Sequence, residues 1–318
     1  MTSLLVTGAA GFIGQRVVRA ARAAGYQVFA LGRRTAPGVD MVCDLRAPLC
    51  NAPPVDWIVH LAGAYAGANR QELEDVDVAA ARNVIAWARS TGVRRVAFAS
   101  AAEVYGVIEG IATEDAPTQP LIPYGWAKLR IEDLLGRFAA EVRGSTVAVL
   151  RLGEVYGAQG RLIQELSRRL RSGFCPWFGS GEVPLSFVHV DDVAQAVMRV
   201  IARAAGFSVW NVADDASATW RAFLRDLANG LGVRVPVGLP LPAAYAYAAA
   251  SEAAAWLTRS SPVVSPRILR LLTTPKSLSN ARLKKAFGFE PLYPDYRQGL
   301  KEVFDGISHN AENGAAQR

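Results

Sequence analysis

The sequence predicts an α/β fold in which a doubly wound parallel β-sheet, with helices on both faces, is joined to a smaller, mostly helical C-terminal lobe. Through the first half of the chain, short β-branched runs alternate with longer amphipathic segments, as is typical of parallel sheets buried on both faces. A glycine-rich loop joins the first run to the first amphipathic segment. After Gly157 the alternation stops, so a second lobe is expected to begin there.

The individual elements follow from these runs. Strands are expected at Leu4–Thr7, Gln27–Leu31, Met41–Cys43, Trp57–Leu61, Arg95–Ser100, Thr146–Leu152, Ser186–Val190 and Val209–Val212. Helices are expected at Ile13–Ala24, Val76–Thr91, Tyr124–Val142, Leu162–Arg171, from Asp191 onward, at the Ala-rich Ala243–Leu257 and around Leu283–Phe304. The Ala-rich helix is expected to be buried beside the active site. Residues 1–158 and 186–216 are assigned to the sheet domain, 159–185 and 217–307 to the lobe, and 308–318 to a disordered tail.

Composition indicates a globular protein, and its charge is compatible with a small anionic ligand. With 51% hydrophobic and 20% charged residues, the chain is far from the disordered classes. The net charge of +7 suits a dinucleotide phosphate, although solvated arginines explain it equally well. The arginines are scattered, so no nucleic-acid surface is predicted.

The cysteines and the N-terminus point to a cytoplasmic protein. Cys43, Cys50 and Cys175 form neither a paired framework nor a metal-binding spacing, so we expect reduced thiols and no metal site. The apolar run at Leu4 leads directly into the glycine loop, which leaves no room for a signal peptide. The Ala-rich segment is short for a membrane span, and stable membrane insertion is not expected.

The loop from Thr7 to Gly14, TGAAGFIG, predicts a dinucleotide-binding Rossmann motif because it follows a strand and opens a helix. Gly8 permits the tight turn, Gly11 lets the backbone approach a pyrophosphate, and Gly14 allows close packing of helix and strand. The helix N-terminus then faces the negative charge.

The end of the second strand favours NADP over NAD. Enzymes that prefer NAD carry an acidic residue there against the ribose hydroxyls, whereas this chain continues with Arg33 and Arg34. An arginine offers a planar fork of donors to a 2′-phosphate. The alternative is a pair of solvated arginines in a loop. Asp44 and Leu45, at the end of the next strand, are expected to bracket the adenine.

Tyr124 and Lys128 form the pair best suited to proton transfer. Their spacing of four residues places both side chains on one face of a helix. A neighbouring ammonium favours the phenolate form of a tyrosine, and Lys128 can also anchor the nicotinamide ribose.

Together these motifs resemble the extended short-chain dehydrogenase/reductases, the NAD-dependent epimerase/dehydratase family. The likeness covers nearly the whole chain and rests on TGAAGFIG, HLAG from His60, AFASAAEVYG from Ala97, YGWAK, RLGEVYG from Arg151 and FVHVDDVAQAV from Phe187. It implies a seven-stranded sheet, a C-terminal substrate lobe, hydride exchange at a secondary alcohol or ketone, and a homodimer. Cofactor contacts are expected from Gly8, Gly11, Phe12, Ile13, Gly14, Arg33, Arg34, Asp44, Leu45, Leu61, Ala62, Gly63, Ser100, Tyr124, Lys128, Leu152 and Val155.

The chain departs from the family pattern at the catalytic hydroxyl. The family's Ser or Thr lies four residues before the tyrosine of VYG, and that position is Ala101 here. Ser100 is the candidate substitute if the strand end shifts, although its usual place faces the cofactor. Glu103 stands where dehydratases and decarboxylases of the family carry an active-site glutamate, and it remains open whether it is catalytic or only hydrogen-bonding.

Two further departures concern the substrate. Nucleotide-sugar members carry an arginine shortly before HVDD and an asparagine in the RLGEVYG-like loop, where this chain has Leu185 or Ser186, and Glu154. These changes disfavour a diphosphate. The C-terminal run from Pro240 is similar to 3β-hydroxysteroid dehydrogenase-like and ketone-reductase branches, which often enclose apolar substrates. Aromatic residues that could line such a pocket, or could simply be core, are Trp126, Trp177, Phe178, Tyr245, Tyr247 and Trp256.

Three functions are therefore compared. The leading one is an NADP-linked oxidoreductase acting on a ketone or secondary alcohol, with Tyr124 as acid or base. The second is a nucleotide-sugar epimerase, dehydratase or decarboxylase that uses Glu103. The third, suggested by Ala101, is a cofactor-binding sensor without activity. His189-Val190-Asp191-Asp192 is interpreted as a strand-to-helix turn, with Asp191 or Asp192 capping the helix.

Overall fold

The computed structural model describes residues 1–49, 52–64, 68–258 and 264–315, without the side chains of 267 and 307–315. Cys50 therefore lies outside the described residues. The strands, in chain order, are β1 (Ser3–Thr7), β2 (Gln27–Gly32), β3 (Met41–Val42), β4 (Trp57–His60), β5 (Arg95–Ala101), β6 (Ile111–Ala112), β7 (Thr146–Leu152), β8 (Glu154–Tyr156), β9 (Trp177–Phe178), β10 (Pro184–Leu185), β11 (Phe187–His189), β12 (Phe207–Val212), β13 (Ala218–Thr219), β14 (Gly238–Leu239) and β15 (Ser277–Leu278).

Helices connect these strands and form most of the C-terminal part of the chain. They are α1 (Phe12–Ala23), α2 (Arg70–Leu73), α3 (Ala79–Thr91), α4 (Pro123–Glu141), α5 (Arg161–Arg171), α6 (Val190–Arg203), α7 (Trp220–Gly230), α8 (Leu241–Thr258), α9 (Pro266–Leu272), α10 (Ala281–Phe287) and α11 (Tyr296–Ala315). A π-helical turn, Glu74–Val78, joins α2 to α3, and a 3₁₀ turn, Ala102–Val104, follows β5.

The central sheet has seven parallel strands in the order β12-β7-β5-β4-β1-β2-β3, which confirms the predicted doubly wound fold. Each face of this sheet is covered by its own apolar cluster. Leu4 and Val6 of β1 pack with residues of α1 and α6, whereas Leu5 packs with residues of α3 and α4. Because side chains alternate along a strand, one apolar run serves both layers.

A third apolar cluster lies in the C-terminal part of the chain. It is built around aromatic rings, with Phe187 and Phe223 stacked at 4.2 Å between ring centroids and Tyr156 set edge-on to Phe223 at 6.0 Å. The strand predicted at Ser186–Val190 is β11, and it pairs with β8 rather than with the central sheet. This short pair carries the chain from the sheet to the lobe.

Two expectations about the helices are wrong in detail. The helix predicted from Val76 begins at Arg70 and contains the π-helical turn. Helix α11 extends as far as Ala315, and the predicted disorder of the tail from Ser308 stays a prediction. Residues 316–318 lie outside the description.

The Ala-rich helix is also less buried than expected. Only Ala244, Ala248 and Ala255 of α8 are buried, and Trp256 is 80% exposed. The helix packs against α9 through this narrow alanine stripe, so most of its apolar surface faces outward. None of the described helices is both long enough and apolar enough to cross a bilayer.

Candidate active site

The glycine loop forms a tight cradle at the carboxyl end of β1. Gly8 has φ +70°, and a Cβ there would lie 2.7 Å from the backbone N of Ala62. A Cβ on Gly14 would lie 2.1 Å from the Gly8 carbonyl oxygen. Backbone therefore meets backbone with no room for side chains, which is the arrangement that a dinucleotide pyrophosphate requires. Helix α1 begins at this point with no side-chain cap on Gly11, so its first N–H groups face the cradle.

One end of the cleft is a cavity of about 430 Å³ at the ends of β2 and β3. Of the predicted cofactor residues, it brings together Gly8, Gly11, Arg33, Asp44, Leu45, Leu61, Ala62 and Gly63. Arg34 is exposed and does not line it. Arg46, which the motifs did not indicate, does: it donates to Asp44 at 3.0 Å, and these hydrogen bonds lower the pKa of Asp44 to about 2.

The other end is a cavity of about 450 Å³ that shares Gly8, Gly11, Leu61 and Gly63 with the first. The two cavities are therefore parts of one cleft. The predicted residues that line this second end are Phe12, Ile13, Gly14, Ser100, Glu103, Tyr124, Lys128, Leu152 and Val155. The cradle and the predicted proton-transfer pair thus face the same space.

Lys128 is held in place by a buried carboxylate. Its Nζ lies 3.0 Å from Oδ2 of Asp77, and the two side chains are 6% and 0% exposed. Asp77 lies on the π-helical turn, where one extra residue re-aims side chains, and such turns occur frequently at functional sites. Gly63 permits the approach, since a Cβ there would be 2.9 Å from the Lys128 Nζ.

Tyr124 keeps its proton at neutral pH. Burial raises its pKa to about 12, although Lys128, whose Nζ lies 5.3 Å from the centre of the ring, acts in the opposite direction. The expectation that Lys128 favours the phenolate is correct in sign, but burial, together with the charges of Glu103, Asp77 and Glu154, outweighs it. A protonated phenol next to an ammonium is suited to donating a proton.

The hydroxyl of Ser100 is directed to a different group. Its Oγ donates to Glu132 Oε1 at 2.5 Å, and Glu132 also accepts from Arg151 at 2.6 Å, all three side chains being buried. Ala101 ends β5 in its regular register opposite Leu152, so the strand end is not shifted. Ser100 therefore lines the cleft with its hydroxyl already engaged.

Glu103 is engaged by a lysine that no motif indicated. The Nζ of Lys276 lies 2.9 Å from Glu103 Oε1 and also contacts Glu154, and Lys276 is only 4% exposed. Glu103 and Glu154 line the cleft beside Tyr124. Two carboxylates that line the cleft are thus held by one buried ammonium, and the three residues come from segments about 50 and 120 residues apart.

The HVDD segment is a strand-to-helix turn, as predicted, but the predicted cap is wrong. His189 caps α6, its ring nitrogen accepting from the backbone N of Asp191 at 3.3 Å. Asp192 instead accepts from the backbone N of Tyr293 at 3.1 Å and so ties down the segment before α11. His189, Asp191 and Glu302 could in principle surround a cation, but Arg16 lies 3.6 Å from Asp191 and already supplies the positive charge.

Apart from the exposed Arg46, the groups that the motifs missed are buried charges with partners on other elements. They are Asp77, Glu132 and Lys276. A signal existed only for Asp77, an acidic residue at an apolar helix face predicted to be buried.

Comparison with known proteins identifies the family. The family model described as NAD dependent epimerase/dehydratase matches residues 4–213. A 3-diazoavenalumate denitrifying reductase from Streptomyces sp is 32% identical, over 93% of this chain and 98% of that protein. A dTDP-glucose 4,6-dehydratase from Streptomyces griseus is 31% identical, over 73% of this chain and 79% of that protein.

Solved structures show the same relationship. MoeE5 in complex with UDP-glucuronic acid and NAD superposes with a TM-score of 0.78 at 28% identity, over 97% of this chain and 99% of that one. A UDP-glucose 4-epimerase from Thermus thermophilus in complex with NAD has a TM-score of 0.77 at 22% identity, over 96% of this chain and 99% of that one, and shows the shared fold. The chain is an enzyme that belongs to the NAD-dependent epimerase/dehydratase family, as its motifs predicted.

Proposed function

We propose that the protein is an NADP-dependent oxidoreductase that transfers hydride at a ketone or secondary alcohol of a small, apolar substrate, with Tyr124 as the acid or base. The observation that carries the proposal is the position of Tyr124 and Lys128 in the same cleft as the glycine cradle. When bound, the nicotinamide supplies hydride in the reductive direction and accepts it in the oxidative one.

In ketone reduction, the carbonyl carbon gains hydride and its oxygen gains the phenolic proton of Tyr124. The ordinary pKa of a tyrosine already lies above neutral pH and burial raises that of Tyr124 further, so the phenol carries its proton before the substrate binds. Lys128, held by Asp77, stabilises the phenolate that is left and would also hold the cofactor ribose. The relative named as a reductase supports the reductive direction.

Arg33 supports NADP as the cofactor. Both Arg33 and Arg34 are exposed, but only Arg33 lines the expected adenosine end of the cleft, so Arg33 is the residue that would bind a 2′-phosphate. The acidic side chain that follows β3 at this end is Asp44. It is paired with Arg46, so its negative charge is balanced.

One observation favours the second candidate, a nucleotide-sugar epimerase or dehydratase. Glu103 faces the cleft beside Tyr124, at the position of the family's active-site glutamate. Against it, Lys276 binds Glu103, and Leu185 and Ser186 are both buried where a diphosphate-binding arginine is expected. Neither side chain offers a bidentate contact to phosphate.

The proposal is tested with purified protein titrated with NADPH and NADH by fluorescence, together with assays of NADPH oxidation in the presence of apolar ketones or UDP-sugars. Tighter binding of NADPH and ketone-dependent oxidation are expected. Retained cofactor with conversion of a UDP-sugar, and no net oxidation, would support the second candidate instead.

A further inference from the structure

A further cavity, separate from the two that form the cleft, adjoins the end that contains Tyr124. It has a volume of about 220 Å³ and lies among α5, β9, α7 and the α8–α9 pair. Leu162 borders both this cavity and the cleft, and the consecutive Leu271 and Leu272 of α9 line the cleft and the cavity respectively. A substrate whose reacting carbon lies beside Tyr124 therefore has this cavity within reach.

Aromatic rings form much of the cavity wall. Phe174 and Tyr247 meet edge to face at 5.8 Å between ring centroids, and Trp177 and Trp220 supply two further faces. Aromatic rings prefer edge-to-face or offset-stacked partners. A wall of this kind suits a flat ring better than a flexible alkyl chain.

The position of Trp177 depends on two glycines. A Cβ on Gly181 would lie 2.6 Å from the indole ring, and one on Gly238 would lie 2.4 Å from its nitrogen. The guanidinium of Arg221 covers the ring at 5.4 Å from its centroid. Packed in this way, Trp177 is a fixed wall rather than a mobile surface side chain.

The charges at the cavity are paired with each other. Arg169 donates to Glu165, and hydrogen bonds from Arg168 and Arg169 lower the pKa of Glu165 to about 2, so it stays ionised. Burial raises the pKa of the Cys175 thiol, which is therefore neutral. A diphosphate entering here would have to compete with Glu165 for Arg169, and a buried unpaired anion is costly.

We propose that this cavity is a substrate subsite that takes a neutral aromatic ring, joined by a short linker to the carbon that reacts beside Tyr124. An apolar cavity of roughly 150 Å³ accommodates benzene, so the space suffices for one ring with a small substituent. The inference rests on the proposed function, because it assigns the substrate class of that same cleft. Phe174, which is 53% exposed, lies where a bound ring would cover it.

The test compares 4-phenylbutan-2-one with butan-2-one on the full chain in the presence of NADPH. Calorimetry is expected to give a Kd for the phenyl ketone that is about tenfold to a hundredfold lower. Leu166→Trp, which fills the cavity, and Phe174→Ala, which removes its exposed wall, should each reduce this ratio toward one. Leu292→Trp, at an exposed position elsewhere, is the control and should preserve the ratio.

Equal affinity for the two ketones, or a ratio unchanged in Leu166→Trp and Phe174→Ala, would overturn the inference. Displacement of the phenyl ketone by UDP would also overturn it, in favour of a nucleotide in the cavity. If the phenyl ketone binds with the expected ratio but neither ketone is reduced, the proposed function fails and the subsite stands. If both ketones are reduced without a phenyl preference, the subsite fails and the proposed function stands.

Discussion

The two walls of the cleft are built in different ways. The wall that we propose for the cofactor contains two short motifs, each local in sequence, Gly8 to Gly14 and Tyr124 to Lys128, although Lys128 is also held by the distant Asp77. The wall that we propose for the substrate contains no such motif, because Glu103, Glu154 and Lys276 come from distant segments and meet in buried ion pairs. The cofactor wall can be recognised from sequence motifs. The substrate wall can differ between relatives, and so bind different substrates, while those motifs stay the same.

This difference explains why the relatives share a cofactor fold but carry names with different substrates. The matched family region ends at residue 213, before Lys276 and before α7, α8 and α9, which line the apolar cavity together with α5 and β9. Fold alone does not specify function, and we propose that specificity resides in the substrate wall. Each prediction below perturbs one of the two walls.

Removing the proton donor should have the largest effect. Tyr124→Phe deletes only the hydroxyl, and we expect turnover of a ketone to fall about 10²- to 10⁴-fold while NADPH binding persists. Tyr245→Phe, at an exposed tyrosine outside the cleft, is the matched control. Steady-state NADPH oxidation and fluorescence titration measure the two quantities. Equal turnover in the two variants would remove Tyr124 from the chemistry.

Lys276→Met tests the substrate wall. Burial alone would lower the pKa of Lys276, but Glu103 and Glu154 raise it above its ordinary 10.5, so Lys276 is charged at neutral pH and its contribution to stability is lost only as the pH rises through that raised pKa. The variant leaves two carboxylates without a counter-charge, and the free energy of unfolding should fall by about 3 kcal/mol at pH 8.

Urea denaturation at pH 8 measures this effect. The control is Lys284→Met, which breaks a half-exposed ion pair with Asp215 at 2.8 Å and should cost less than about 1 kcal/mol. Equal losses in the two lysine variants would show that Lys276 does not organise the wall.

Gly14→Ala tests the cofactor wall. The added Cβ would lie 2.1 Å from the Gly8 carbonyl oxygen. Both contacting groups belong to the main chain, so the clash cannot be relieved by rotating a side chain. We expect a cost of about 1–3 kcal/mol, appearing mainly as weaker NADPH binding. Gly136→Ala, in α4, is the control, because its Cβ would meet nothing closer than 3.8 Å. If both variants bind NADPH with comparable affinity, the close packing at Gly14 is not needed for cofactor binding.

The smallest expected effect concerns cofactor choice. Arg33→Ala should weaken NADPH binding by about 1.5 kcal/mol, or roughly tenfold, and leave NADH binding nearly unchanged. Arg34→Ala, at the exposed neighbouring position, should change neither affinity. If Arg33→Ala lowers the affinities for NADPH and NADH equally, Arg33 does not bind the 2′-phosphate.

Features that depend on residues close together in sequence could be predicted, whereas contacts between distant residues could not. The parallel sheet, the cradle, and the position of Tyr124 beside Lys128 were predictable because strand-to-helix turns and four-residue spacings are local. The buried partners were not, since Asp77 reaches Lys128 across 51 residues and Lys276 reaches Glu103 across 173. The raised pKa of Tyr124 was also missed, because burial by tertiary packing outweighs the charge of a neighbour along the helix.

The central claim, hydride transfer to a carbonyl carbon assisted by Tyr124, is tested most directly by following isotope from cofactor to product. The protein is incubated with NADPH in which both hydrogens at nicotinamide C4 are replaced by deuterium, together with 4-phenylbutan-2-one, and the alcohol is analysed by mass spectrometry. The expected product of the unaltered protein carries one deuterium on the carbinol carbon. Tyr124→Phe is expected to form almost no alcohol. Unlabelled alcohol, or no alcohol from a protein that binds NADPH and the ketone, would contradict it.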